Sequence, residues 1–435
     1  MTRFRAAARR ALAVGPRGIA QRVAQRAYRA TGAADLLFNL DLDDILADVP
    51  ADLPVPPPAG EGPLTIGWVS TPPAPGSGGH TTVFRMVEAL EAAGHTCVLF
   101  LYDKHGLDVD RQTAVVRAHW PRVRAAVADA RAGIGGVDAV VATGWESAHL
   151  VVSRGRGAMH RLYFLQDYEP YFYGHGAEHE LAAMTYRFPF RRLALGEMLD
   201  AMVRAETGLG SDVVPFGCDA TAYRPPEPEM DRSGIVYYSR PEFARRGHQL
   251  ACVALRRFHA LHPEQPIHVY GAYPRGLDLP IVFHGRLTPA ELNDLYGRTI
   301  AGLALSFTNI TLVAEEMLAA GCIPVVNELD AAHLVLANPA VRWAEPTAGA
   351  LAGALAEVVE EPDLARRARA AAASVVGRSW EPAQRELVRL VEETVRGPRA
   401  VQETRAAEEP LRAPRVGERG PRLVAVPVER EEKAS

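Results

Sequence analysis

The chain has 435 residues, 48% hydrophobic and 23% charged, a globular composition long enough for two or three domains. A formal net charge of −4 argues against a basic nucleic-acid binder. Cys97, Cys218, Cys252 and Cys322 show no CxxC spacing, so neither a disulfide frame nor a zinc site is expected, and with no apolar run of membrane-span length and no signal-peptide stretch the expectation is a cytoplasmic protein.

The first stretch, "FRAAARRALAVGPRGIAQRVAQRAYRA", sets Arg among Ala, Leu, Val and Ile at near-helical spacing. It predicts a basic helix with two uses: packing on the rest of the protein, or peripheral contact with an anionic membrane face. "DLDD" (41–44) reads as a solvated acidic cluster, followed by a proline-rich linker that closes an extension over residues 1–62.

From Leu64 the texture is α/β. "LTIGWVS" (strand), "TTVFRMVEALEAAG" (helix) and "TCVLFLYD" (strand) form the unit of a parallel sheet, and "VDAVVATGW", "HRLYFLQDY" and "RLALG" continue it as strands. A Pro-rich, charged stretch near 216–234 marks a linker. The alternation restarts with "GIVYYSR", "GHQLACVALRRFHALHP", "PIHVYGA", "LPIVFHG", "TPAELNDLYGRT", "IAGLALSF" and "CIPVVN". The expected division is 63–220, a linker over 221–233, 234–378, a helix over 379–396, and a disordered tail over 397–435.

Four stretches carry candidate chemistry. In "PPAPGSGGHTTVF", Gly76 and Gly78 begin a G-x-G-x-x-G pattern that fails at Thr81, so a dinucleotide site is not expected, nor is Asp103 expected to bind a ribose. Glycines ahead of a helix still admit an anion or sugar hydroxyl to backbone N–H groups, which makes Gly78, Gly79 and His80 candidates. In "FLQDYEPYFYGHG" (164–176) a strand runs into Gln166, Asp167, Tyr168 and Glu169, with His175 close behind. Aromatic faces and carboxylates suit a sugar, and ligands of open α/β sheets sit beyond strand carboxyl ends. In "YYSRPEFARRGHQL" (237–250), Arg240, Arg245 and Arg246 flank a loop before a helix, a pattern fit for a pyrophosphate.

The fourth stretch is "SFTNITLVAEEMLAAGCIPVV" (306–326). Glu316 and the residues after it read as a helix ending at a Gly321 cap before a buried strand. Thr308, Asn309 and Thr311 supply caps and unpaired N–H groups at its start. Glu315 and Glu316 point about 100° apart around the axis, so one of them can face a ligand while the other is solvated or paired.

These motifs resemble a glycosyltransferase of the GT-B type, close to the large retaining family numbered four. The Gly-rich loop with "EALEAAGHTCVLF", the linker entry "VVPFGCDATAYRP", the Arg240–Gly247 loop, "LALSF…EEMLAAGCIPVV" and "SWEPAQRELVRLVEE" (379–393) carry the resemblance over roughly residues 64–393. "YFLQDYEPYFY" and "YYSRPEF" resemble rhamnosyltransferases of bacterial surface-glycan and rhamnan assembly.

The resemblance implies two Rossmann-like domains with parallel sheets facing across a cleft. The first would take the acceptor and the second the nucleotide-sugar donor, with the last helix crossing back to the first. It implies Glu316 on the donor ribose, Arg240 with Arg246 on the diphosphate, and the backbone around Asn309, Thr311 and Leu312 on phosphate. An acceptor glycan, free or lipid-linked, would meet Gly78, Gly79, His80, Gln166 and Tyr168. Asp167 is the candidate acceptor-side catalytic carboxylate, with Glu169 and His175 as alternatives. No metal or other cofactor is expected, and retention of configuration is implied.

The sequence departs from the pattern twice. Thr308 stands where the family has a second Glu, and the second basic residue comes six rather than five positions after Arg240. The expected activity is transfer of a sugar, L-rhamnose by resemblance, from a nucleotide diphosphate to a surface glycan. The rivals are a nucleotide-sugar epimerase of the same fold and a non-catalytic glycan-binding module.

Overall fold

The computed structural model describes residue 23 and residues 38–397, apart from 220–221, 227–230, 310–311 and 330. The basic segment before residue 38, save Val23, the tail beyond 397, part of the linker and the candidate Thr311 lie outside the described residues.

The first half is built on strands β1 (Thr65–Ser70), β2 (Thr96–Leu101), β3 (Ala126–Asp129), β4 (Ala139–Ala142), β5 (His160–Leu165), β6 (Arg191–Leu195) and β7 (Asp212–Val214). They form one parallel sheet in the order β3-β2-β1-β4-β5-β6-β7. Strands β1, β4 and β5 lie mid-sheet, with Ile66, Trp68, Val140, Val141 and Phe164 buried. That explains their nearly unbroken apolar runs, because helices cover both faces of a parallel sheet. The helices are α1 (Gly78–Ala92), α2 (Val109–His119), α3 (Trp145–Ser153), α4 (Ala177–Thr185) and α5 (Glu197–Thr207).

The second half repeats the plan with β8 (Ile235–Ser239), β9 (Ile267–Gly271), β10 (Val282–Gly285), β11 (Ala301–Leu303), β12 (Ile323–Asn327) and β13 (Arg342–Ala344). Its parallel order is β10-β9-β8-β11-β12-β13. The helices are α6 (His248–Leu261), α7 (Pro289–Arg298), α8 (Leu312–Ala319), α9 (Ala348–Glu360), α10 (Leu364–Ala373) and α11 (Glu381–Arg396).

Helix α11 packs on the first half. Ala383, Leu387, Leu390, Val391 and Val395 form a buried stripe in the same core as Ile66, Val83 and Leu193. Arg191 clasps it through Glu393 at 3.2 Å. The chain therefore crosses between halves twice, and the crossings touch. A Cβ on Gly217 would lie 2.8 Å from the Ser379 carbonyl oxygen and 2.9 Å from the Trp380 Cα, so only glycine fits there.

The sheet order reverses between β1 and β4 in the first half and between β8 and β11 in the second. Loops that leave strand carboxyl ends on either side of such a point diverge and open a crevice. At these ends lie the Gly-rich loop after β1, the segment after β5, the Arg240 loop after β8 and residues 304–309 after β11.

Three expectations are corrected. The acidic cluster is not solvated: Asp44 is 1% exposed. Arg154 grips both of its oxygens at 2.5 and 2.9 Å, and Tyr102 and Ser153 each donate at 3.0 Å. A buried carboxylate needs such partners. The proline-rich stretch is also partly docked: the Pro54 carbonyl accepts from Arg161, and the Ala59 N–H donates to Val395 at 2.9 Å. Helix α1 begins at Gly78, three residues before the predicted start, because Ser77 caps it by accepting from the His80 N–H.

Candidate active site

The second half presents a dense cationic edge. After β8 the chain passes Arg240, makes a 3-10 turn over Ala244–Arg246 and enters α6 at Gly247, whose φ of 59° is left-handed. A Cβ there would also meet the Phe307 ring at 2.7 Å. Arg240 pairs with Glu242 at 2.5 Å and Tyr238 at 2.6 Å. Burial disfavours its charge, but these two partners outweigh it and hold its pKa above the ordinary value.

The neighbouring arginines differ. Arg246 is pushed down to about 10 by burial and by the Arg245 charge, and its Nη1 is shut from solvent without a partner. Arg245 is likewise lowered by burial, its Nε also has no partner, and its guanidinium lies 4.0 Å over the Phe172 ring. Buried guanidinium nitrogens with no acceptor mark a place built for an anion.

The loop after β11 faces them. Asn327, at the end of β12, accepts from the Ser306 N–H at 2.8 Å and donates to the Ser306 carbonyl at 2.9 Å. The Phe307 N–H donates to the Arg245 carbonyl at 3.0 Å. Thus the loop carrying Thr308 and Asn309 is pinned on both sides. Leu312 opens α8, which closes on Gly321 (φ 79°) with Gly321 N–H to the Leu318 carbonyl and Cys322 N–H to the Met317 carbonyl, both 2.8 Å. That is a Schellman cap.

The glutamate pair on α8 divides. Glu315 is 2% exposed and pairs with Arg378 at 2.7 Å. Glu316 is half-buried and turns toward Tyr223, which hydrogen-bonds its carboxylate. Burial raises Glu316 to about 7 despite that bond and the Arg85 charge, and Asp219 and Glu315 add to the rise. Arg85 pairs with Asp219 at 3.1 Å and lies over the Trp380 ring, so Glu316 looks toward the chain crossing.

From the first half, Asp167 reaches across. Its Oδ2 accepts from Thr308 Oγ1 at 2.9 Å, and its Oδ1 is shut from solvent without a partner. Burial raises its carboxyl to about 6, against Arg245, Thr308 and Arg246, which all pull it down. The Gln166 carbonyl accepts from Asn309 Nδ2, and the Gln166 amide lies against Gly79. Gly78 and Gly79 are exposed. His80 bonds Ser77 through Nδ1 at 2.9 Å, and burial lowers its pKa.

Three candidates are placed elsewhere. Tyr168 is 3% exposed, its ring packed against Tyr171 and Tyr186, so it supports the segment and cannot meet an acceptor. Glu169 accepts from the Trp145 N–H at 2.5 Å and so caps α3; burial, then Glu146, lifts its carboxyl well above the usual range. His175 is exposed and pairs at 3.5 Å with Glu180. With His179 these form a group whose ligand atoms lie within 4.8 Å of one another, on the surface and outside the cleft contacts. Asp103 serves a local turn, accepting from the His105 N–H.

Asn327, Arg85 and Arg378 have no motif to announce their roles, and Phe172 and Tyr223 lie inside motif-bearing stretches without a role of their own there. Each acts through a contact made only in the folded chain.

Residues 233–356 match the family model for the WsaF C-terminal domain. The O-antigen biosynthesis protein RfbC of Myxococcus xanthus is 29% identical over 329 residues, 69% of this chain. The chain spans 25% of that relative's length. Among solved structures, sucrose-phosphate synthase of Thermosynechococcus elongatus superposes with a TM-score of 0.60 at 16% identity, covering 76% of this chain and 98% of that one. HepE of Anabaena, in complex with UDP-glucose, gives 0.59 at 14% identity, covering 76% and 100%. The two parallel sheets facing across a crevice are those of GT-B glycosyltransferases. No helix among the described residues is long and apolar enough to cross a membrane. The chain therefore has the GT-B fold found in glycosyltransferases, and part of its second half is similar to the WsaF C-terminal domain.

Proposed function

We propose that the protein is a glycosyltransferase of surface-glycan assembly that moves a sugar, L-rhamnose by sequence resemblance, from a nucleotide diphosphate to a glycan acceptor. One observation carries this reading. Buried, partnerless nitrogens of Arg245 and Arg246 stand at the mouth of α6, and a carboxylate oxygen with no partner, Asp167 Oδ1, belongs to the same cleft. A cationic cradle beside an empty hydrogen-bond acceptor fits a diphosphate carrying a hydroxyl-rich sugar.

Arg246 and Arg245, with Arg240 swinging from Glu242, would offset the charge of the leaving diphosphate, so the residues present supply what a metal often does. Glu316 would accept from the ribose hydroxyls. The backbone N–H groups around Asn309, Thr311 and Leu312 would meet phosphate oxygens. The acceptor would lie against Gly78, Gly79, His80 and Gln166, with Asp167 as the carboxylate at the reacting sugar. Catalysis would come mostly from positioning and leaving-group stabilisation.

Isothermal titration with UDP, GDP and dTDP, each beside its monophosphate, tests the cradle. A bound diphosphate should lose about tenfold or more in affinity in Arg246→Ala, and its monophosphate much less. Equal losses for both, or no binding of any nucleotide, would contradict the reading.

A further inference from the structure

Three contacts join the segment after β5 to the second half. Thr308 Oγ1 donates to Asp167 Oδ2 at 2.9 Å, Asn309 Nδ2 donates to the Gln166 carbonyl, and Arg245 lies 4.0 Å over Phe172. The loop that brings Thr308 has little slack, since Asn327 holds Ser306 from both sides and Phe307 is tied to the Arg245 carbonyl. Thr308 itself is 2% exposed.

On the other side, the Asp167 backbone is fixed by Tyr186, whose hydroxyl donates to its carbonyl at 2.7 Å and accepts from the Glu169 N–H at 2.9 Å. The carboxylate is thus gripped at one oxygen by the opposite half of the molecule. Its other oxygen is shut from solvent with no side-chain partner, and the Tyr168 backbone N–H adds to the pull that favours the charged form. A carboxylate oxygen in that state calls for a donor from a ligand in the cleft.

We infer that Thr308 is a positioning residue for the transfer reaction: across the closed cleft it fixes Asp167 so that Oδ1 accepts from a sugar hydroxyl. This rests on the transferase reading. Two consequences follow. The carboxylate is aligned only when both halves are together, so closure and competence are coupled. The Thr308 bond also favours the ionised carboxylate. The charged or titratable groups facing Asp167 are Arg245 and Arg246 from the second half and Glu169 and Tyr186 from the first. Without Thr308, burial and Glu169 weigh more heavily against the two arginines.

The test compares wild type, Thr308→Val and Thr308→Ser. Valine keeps the volume and removes the donor; serine keeps the donor. With the nucleotide sugar that wild type turns over, Thr308→Val should lower kcat about tenfold to a hundredfold with donor KM within about twofold. The acidic limb of its pH–rate profile should move to higher pH, and Thr308→Ser should restore both. An unmoved limb, or equal losses in both variants, overturns the inference.

A second readout needs no turnover. Spin labels on Arg122→Cys and Glu264→Cys, exposed sites in the two halves, should report a longer, broader distance in Thr308→Val and the wild-type distance in Thr308→Ser. Identical distances in all three proteins also overturn it. If wild type turns over no nucleotide sugar, the transferase reading fails separately, and the distances still decide whether Thr308 holds the cleft.

Discussion

Glu315 and Arg378 form an ion pair at 2.7 Å that ties α8 to the chain just before it crosses back to the first half. Burial raises Glu315 to about 6, and the Arg378 charge opposes that rise. Removing Arg378 leaves a buried carboxylate without its cation. Arg378→Ala should therefore cost about 2–3 kcal/mol at pH 8. The cost should shrink at pH 5, where Glu315 takes up a proton. Nucleoside diphosphate affinity should stay within about twofold. Urea denaturation at the two pH values checks this, and equal losses at both would refute it.

Glu316 should behave in the opposite way. Its raised value, about 7, means that the free protein binds a proton there as the pH drops below neutrality. If the ionised form receives the ribose, affinity should weaken toward about tenfold per pH unit below 7. Glu316→Gln should bind more weakly at pH 8 and lose this dependence. Because the variant retains the ligand's own phosphate titration, the difference between the two curves isolates Glu316. Parallel curves from pH 6 to 8 would reject the assignment.

Asp44 and Arg154 anchor the segment before β1. Burial disfavours the Asp44 charge, but Arg154, Tyr102 and Ser153 overcome it and hold the carboxyl below the ordinary range. Stability from a lowered acid is present above its unfolded pKa and is lost as the pH falls through the folded one. Arg154→Ala should thus cost about 3 kcal/mol at neutral pH and less near pH 3. The double change Asp44→Asn with Arg154→Ala should recover part of the loss at pH 7.

Gly217 is the tight point where the two crossings touch. Gly217→Ala should destabilise by about 1–3 kcal/mol through overpacking. Gly349→Ala, on α9 with nothing within 4 Å of the new Cβ, should be neutral or stabilising. Equal thermal shifts for the two would show that the crossing tolerates a side chain.

Much of the frame was legible because its signals are local. Apolar runs such as "LTIGWVS" betray mid-sheet strands, and Gly321 five residues after Glu316 betrays the Schellman end of α8. Helix geometry sets Glu315 and Glu316 on different faces, but the pairing of Glu315 with Arg378 shows only in the fold. The short strands β3, β7 and β13 are not legible, because each lies at a sheet edge and lacks the continuous apolar run that marks the equally short β4 and β11. Asp44 was misjudged because its partner Arg154 lies 110 positions away. The Asp167–Thr308 bond spans 141 positions, and neither residue announces the other. Tyr168, Glu169 and His175 sit within one strand-end segment, but the fold sends them to the core, to a helix cap and to the surface.

The central claim is sugar transfer, and acceptor-dependent release of nucleoside diphosphate tests it most directly. Purified protein should be given a panel of nucleotide-diphosphate sugars, dTDP-L-rhamnose among them, with and without rhamnose-containing oligosaccharides, while product mass is followed. The account predicts release only when donor and acceptor are both present, an acceptor heavier by one sugar residue, and loss of most turnover in Arg246→Ala. Binding without turnover, or isomerisation of a nucleotide sugar with no acceptor present, would contradict it.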